Sequence, residues 1–184
     1  MAKNVLVIST SLRSRSNSEA LADSFLAGAE AAGNRAEKIS LRGKALAFCR
    51  GCLVCQQTGK CVIRDDAAEI IEKMCRADVL VFATPIYYYG VSGQMKTLLD
   101  RANPLFPADY AFRDVYLLST ATEDEAEVPQ RAEACLMGWI DCFEKAALRG
   151  TVFAGGVTDE GEISGHPALK AAYDMGAGIK ITEE

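Results

Sequence analysis

At 184 residues, with 49% hydrophobic and 24% charged side chains, the chain has the size and composition of one globular domain with a full core. A net charge of −5, with Lys and Arg scattered rather than clustered, excludes nucleic acid as the main partner. The opening "MAKNVLVIST" is too short an apolar run for a secretion signal, and no later run is long enough to span a membrane. The expected location is therefore cytoplasmic, where seven cysteines point to metal or redox chemistry before disulfides.

In chain order, the first strand is "NVLVIS" (4–9), a continuous apolar run of the kind buried on both faces of a parallel sheet. A helix over 18–33 follows, its apolar stripe made by Leu21, Phe25, Leu26, Ala29 and Ala32, with Ser18 as N-cap and Gly33 as stop. The alternating "RAEKISL" (35–41) suits an edge strand. After a cysteine-rich loop at 49–61 come a helix at 66–76, a strand at 78–84, a helix at 92–103 and a strand at 114–120. The last elements are a helix at 128–146, with Pro129 in its first turn after the acidic "EDEAE", a strand at 150–156 and a helix at 167–175. Alternating strands and helices predict a single α/β domain over 1–184: a three-layer sandwich around a five-stranded parallel sheet.

The loop after the first strand, "STSLRSRSNS" (9–18), has neither a G-x-G-x-x-G fingerprint nor a Walker lysine. Its hydroxyls and two arginines instead precede a helix N-terminus, where backbone N–H groups and the helix dipole favour an anion. One phosphate site there suits a mononucleotide. In a sheet of strand order 2-1-3-4-5, that means FMN at the point where the order reverses. The loop after the third strand, "TPIYYYG" (84–90), offers aromatic faces and a close backbone approach to a flat ring. The loop after the fourth, "STATEDE" (119–125), leaves the same edge as a third wall.

Cys49, Cys52, Cys55 and Cys61 are spaced C-x2-C-x2-C-x5-C. Two separate knuckles a dozen or more residues apart would suit structural zinc, but here the knuckles overlap at Cys52. A thioredoxin-like couple needs only two thiols. Overlapping knuckles are how ferredoxin-type loops wrap one cubane, and Val62 rather than proline after Cys61 lets all four serve a single site. Zinc and cluster-free thiols stay open as alternatives. Cys75, Cys135 and Cys142 fall in helical segments and are expected as buried small hydrophobes. His166, the only histidine, is expected to cap or line the last helix without a catalytic role.

The serine loop, "TPIYYYGVSGQMKTLLDR" (84–101) and the tail "AGGVTDEGEISGHPALKAAYDMG" (154–176) resemble the flavodoxin-like NAD(P)H-dependent FMN reductases. With the cysteines added, the chain is similar to their iron–sulfur flavoprotein branch. The first loop departs from the common "GSPR" form by reading "TSLR" (10–13), keeping the serine and arginine. The resemblance implies FMN phosphate held by Ser9, Ser11, Arg13, Ser16, Asn17 and Ser18. It implies an isoalloxazine bordered by Pro85, Ile86, Tyr87, Tyr88, Tyr89 and Gly90 and by Ser119, Thr120, Ala121 and Thr122. It also implies a 4Fe–4S cluster on the four loop cysteines. The expected activity is electron transfer from NAD(P)H or a ferredoxin-like donor to a small-molecule or ferredoxin-like acceptor, in a homodimer or homotetramer. A flavodoxin-like carrier without turnover, a cluster-free reductase with redox thiols and a zinc-stabilised binding module are the rivals.

Overall fold

The apolar runs form strands in the computed structural model, which describes residues 1–180. They are β1 (Asn4–Ser9), β2 (Arg35–Ser40), β3 (Val79–Tyr87), β4 (Gly90–Val91), β5 (Asp114–Thr120) and β6 (Ala147–Ala154). Parallel pairing in the order β2-β1-β3-β5-β6 makes the five-stranded flavodoxin-like sheet, and β4 adds a short antiparallel hairpin to β3. The order reverses between β1 and β3.

The helices are α1 (Asn17–Ala31), α2 (Val54–Thr58), α3 (Ala67–Arg76), α4 (Gly93–Arg101), α5 (Gln130–Ile140) and α6 (Pro167–Ala177). Because successive side chains on a strand point to opposite faces, β1 feeds two cores at once. Val5 and Val7 pack with Leu21 and Phe25 of α1 and Ala172 of α6. Leu6 and Ile8 pack with Met74 of α3, Leu98 of α4 and Leu136 of α5. Fully burying one such side chain contributes about 1.5–3 kcal/mol, and this is what fixes the three layers.

Several boundaries differ from the sequence reading. Helix α1 starts earlier: Ser16, not Ser18, is the N-cap, its Oγ accepting from Glu19 N at 3.5 Å. Gly33 does stop the helix, at φ +82°, with Gly33 N on Glu30 O and Asn34 N on Ala29 O satisfying the last carbonyls. Strand β3 runs on through Pro85 to Tyr87, because Thr84 and Pro85 continue the register with Ser119 and Thr120 of β5. Helix α5 ends at Ile140 rather than 146. Phe143 turns inward there, its ring 5.2 Å from those of both Tyr110 and Phe112, and β6 starts directly after. The expected domain reaches Glu184, and its residues 181–184 lie outside those described.

The expectation for the remaining cysteines is corrected. Cys75 and Cys135 are half-buried, whereas Cys142 is exposed in the turn beyond α5. Burial pushes the Cys75 thiol pKa up, as for a small hydrophobe. His166 caps α6, its Nδ1 accepting from Ala168 N at 3.1 Å.

Candidate functional site

All five parallel strands end at one edge, and the loops after β1, β3, β5 and β6 meet there. They line a single cleft with Ser11, Arg13, Ser16, Asn17, Pro85, Ile86, Tyr87, Thr120, Ala121, Thr122, Val157 and Thr158. Ten expected residues thus come together. Ser9, Ser18 and Ser119 are instead buried beside the cleft without lining it, and Tyr88, Tyr89 and Gly90 lie beyond it on the hairpin.

The serine loop is held from below. Thr10 Oγ1 donates to Ala83 O at 3.1 Å and also meets Ser92 Oγ at 3.0 Å, while Ser92 N donates to Thr84 Oγ1 at 3.1 Å. Buried hydroxyls therefore fix the take-off of two walls. Above them, α1 points its N-terminus at the cleft, where its first N–H groups have no helical acceptor. Ser16 Oγ and Ser18 Oγ meet at 3.1 Å beside it.

The loop after β6 is the fourth wall, and Val157 and Thr158 were not among the expected residues. The signal was position: they leave a parallel strand at the same edge, within the tail that carried the resemblance. Arg13 Nη1 donates to Thr158 O at 2.7 Å, and Thr158 Oγ1 bonds Thr122 Oγ1 at 3.1 Å. The Asn17 amide donates to Asp159 O at 2.9 Å and accepts from Ile163 N at 3.2 Å. The Asn17 side chain is thus committed to positioning the fourth wall. Glu162 anchors the same loop, accepting from Thr158 N at 2.6 Å and Asp159 N at 2.9 Å, and these bonds lower its pKa.

The tyrosine wall departs from a proline-led turn. Tyr87 pairs with Gly90, and Tyr88 and Tyr89 form the two-residue turn with φ of +50° and +63°. Such turns favour Asn-Gly, and left-handed backbone costs a bulky residue roughly 1–2 kcal/mol. Tyr88 is fully exposed, while the Arg131 guanidinium carbon lies 5.4 Å from the Tyr89 ring centroid.

The cysteine loop leaves β2 at the same sheet edge. Cys49, Cys52, Cys55 and Cys61 line one cavity with Arg50, Leu53, Val62, Ile63, Asp100, Arg101 and Asn103, and it shares no lining residue with the cleft. Left-handed backbone at Gly51, Leu53 and Gly59 coils the loop around it. Gly51 N donates to Cys49 Sγ at 3.4 Å and Asn103 Nδ2 to Cys55 Sγ at 3.2 Å. No group of three His, Cys, Asp or Glu among the described residues is gathered as one metal ion would require. Two buried side-chain polar atoms among the described residues have no partner: Ser9 Oγ, on the strand that carries the serine loop, and Arg101 Nε, in the cysteine cavity wall.

The fold is flavodoxin-like, and its four-loop cleft lies at the reversal of strand order. The chain belongs to the NADPH-dependent FMN reductase family, whose model matches residues 3–172. It is 43% identical over 101 residues to an iron–sulfur flavoprotein of Methanocaldococcus jannaschii, covering 55% of this chain and 52% of that one. It is 33% identical over 107 residues to an iron–sulfur flavoprotein of Methanosarcina thermophila, covering 58% and 56%. These alignments span about half the length of the curated relatives. In fold it is similar to an NAD(P)H:quinone oxidoreductase of Methanothermobacter marburgensis, with a TM-score of 0.76 and 17% identity over 100% of this chain and 99% of that one.

Proposed function

We propose that this chain is an FMN-dependent oxidoreductase that takes electrons from NAD(P)H or a ferredoxin-like donor and delivers them to a small-molecule or ferredoxin-like acceptor, with a 4Fe–4S cluster on Cys49, Cys52, Cys55 and Cys61. The observation that carries it is the pairing of two separate donor sets in one chain. One is a hydroxyl-rich helix N-terminus at a four-walled cleft; the other is an all-cysteine cavity.

The cleft residues fit the cofactor. Ser11 and Ser16 hydroxyls and the N–H groups opening α1 suit a phosphate monoester, and the unpartnered Ser9 Oγ lies on the adjoining strand end. Arg13 adds positive charge while tying Thr158 into place. Pro85, Ile86, Tyr87 and the backbone of 120–122 would border the ring. FMN, when bound, accepts electrons in pairs from a nicotinamide and releases them in pairs or singly. The protein's part is to orient the ring and exclude water.

The four thiols fit a cluster by donor type and by sharing one cavity, and the Cys49 and Cys55 sulfurs already receive N–H donors. The exposed rings of Phe48, Tyr87 and Tyr88 support a dimer or tetramer. Among the described residues no helix is long and apolar enough to cross a membrane, and a cytoplasmic location remains part of this proposal.

The test is the absorption spectrum with iron and sulfide content of anaerobically purified protein, followed by NAD(P)H oxidation with a quinone acceptor. Flavin bands, iron, sulfide and turnover are expected. Flavin without iron or sulfide removes the cluster and leaves the reductase; failure to bind flavin removes both. Flavin without turnover, reducible only by a protein donor, identifies a carrier.

Gly155 supplies a prediction for the cleft. A Cβ there would lie 2.5 Å from Asp124 Cα and 2.7 Å from Glu123 O, so Gly155→Ala must push the Thr122 wall aside. FMN affinity should fall about tenfold, as for the loss of about 1.4 kcal/mol, measured by flavin fluorescence titration.

A further inference from the structure

Arg101, at the end of α4, has a side chain with no solvent exposure, and its guanidinium meets both ends of the cysteine loop. Nη1 donates to Ala47 O at 2.7 Å and to Asp65 Oδ2 at 2.6 Å. Nη2 donates to Asp65 Oδ1 at 2.8 Å and to Ile63 O at 3.3 Å. Asp65 completes the latch by accepting from Ala47 N at 2.8 Å. Ala47 precedes the first loop cysteine and Ile63 follows the last, so one side chain pins the chain where it enters and leaves the cavity.

Four of the five guanidinium N–H groups can be spent in this latch. The fifth, on Nε, is buried and has no partner among the described residues, although Arg101 and all four cysteines line the same cavity. The Arg101 pKa is raised by the hydrogen bond to Asp65 first, against burial. The Asp65 carboxyl is opposed by burial but held below its ordinary value by Arg101 and the N–H groups of Ala47 and Ala67. Both partners are therefore charged at neutral pH.

We propose that Arg101 is the positioning residue of the cluster site: it latches the cysteine loop shut through Ala47, Ile63 and Asp65 and presents its charge and its unpartnered Nε–H to the cavity that the four cysteines line. The cluster half of this rests on the reading of the four cysteines above. A positive charge and a donor at a ligand sulfur stabilise added negative charge, so Arg101 raises the cluster's reduction potential. A lysine keeps the charge but cannot reproduce the planar fork.

The experiment compares wild type, Arg101→Lys and the charge-neutral pair Arg101→Gln/Asp65→Asn, which leaves no lone buried charge and so guards against simple misfolding. Cluster potentials are read by EPR-monitored redox titration, and the iron-free proteins are exposed to a protease with cleavage mapped within 47–65. The neutral pair is expected to lower the potential by at least tenfold in the one-electron equilibrium, about 59 mV, with Arg101→Lys in between. Both variants should be cut within the loop at least tenfold faster than wild type. A neutral pair that loads iron with an unchanged potential overturns the electrostatic role, and cleavage at the wild-type rate overturns the latch. Wild type that takes up no iron overturns the cluster reading itself, while the protease arm still decides the latch.

Discussion

A Cys52→Ala protein is expected to purify with its FMN and without iron. Cys52 lies at the centre of the overlapping spacing, belonging to both C-x2-C pairs, so neither pair can keep a partial site without it. A cubane with one of its four thiolates removed is exposed to water and oxygen at that iron, and iron content should fall from about four per chain to near zero. Cys52 is exposed, so the substitution removes little core packing, and the melting temperature of the iron-free chain should stay within about 2 °C. FMN affinity should stay within about twofold, because the cleft and the cysteine cavity share no lining residue. Iron and sulfide analysis with flavin titration on one sample checks both halves. Loss of FMN together with iron would contradict separate sites and mean that the cysteine loop braces the cleft.

The strands were legible because a sheet covered on both faces needs continuous apolar runs, and Val5 to Ile8 and Val79 to Ala83 supply them. Three walls of the cleft followed, since parallel strands deliver their loops to one edge. Helix ends were less legible. Ser14, Ser16 and Ser18 all carry a capping hydroxyl, and only the backbone path selects Ser16. The turn at Tyr88–Tyr89 could not be read from residue type, because its left-handed backbone contradicts the preference of both tyrosines. Arg101 was hidden for a different reason. In sequence it is a basic residue at a helix end, ordinarily a solvated charge, and its role depends on Asp65, 36 positions away. Arg13 and Asn17 were expected at the phosphate and do line the cleft, but their side-chain bonds to the loop after β6 are long-range and left no local trace.

The same limit applies to glycines, where Gly176→Ala is expected to destabilise the protein by about 3 kcal/mol or more, lowering the melting temperature by about 6–12 °C. Propensity alone gives the opposite sign, since alanine inside a helix is favoured over glycine by about 0.5–1 kcal/mol. The contact of α1 with α6 decides it. A Cβ on Gly176 would sit 2.1 Å from Phe25 O, and one on Gly28 would sit 2.1 Å from Tyr173 O. These neighbours are helix backbone, so a rotamer change cannot relieve either clash and the helices must separate. Gly138 is the control: it lies exposed in α5 with nothing within 4 Å of a built Cβ, so Gly138→Ala should stabilise by the propensity alone. Since either clash forces the same separation, Gly28→Ala/Gly176→Ala should cost less than the sum of the single changes. Urea denaturation of the four variants and wild type measures all of this. If Gly176→Ala behaves like Gly138→Ala, α1 and α6 are not in backbone contact. If the clash holds, FMN affinity should fall as well, because α1 carries Ser16 and the N–H groups at the cleft, and a shift of its axis moves the donors proposed to hold the phosphate.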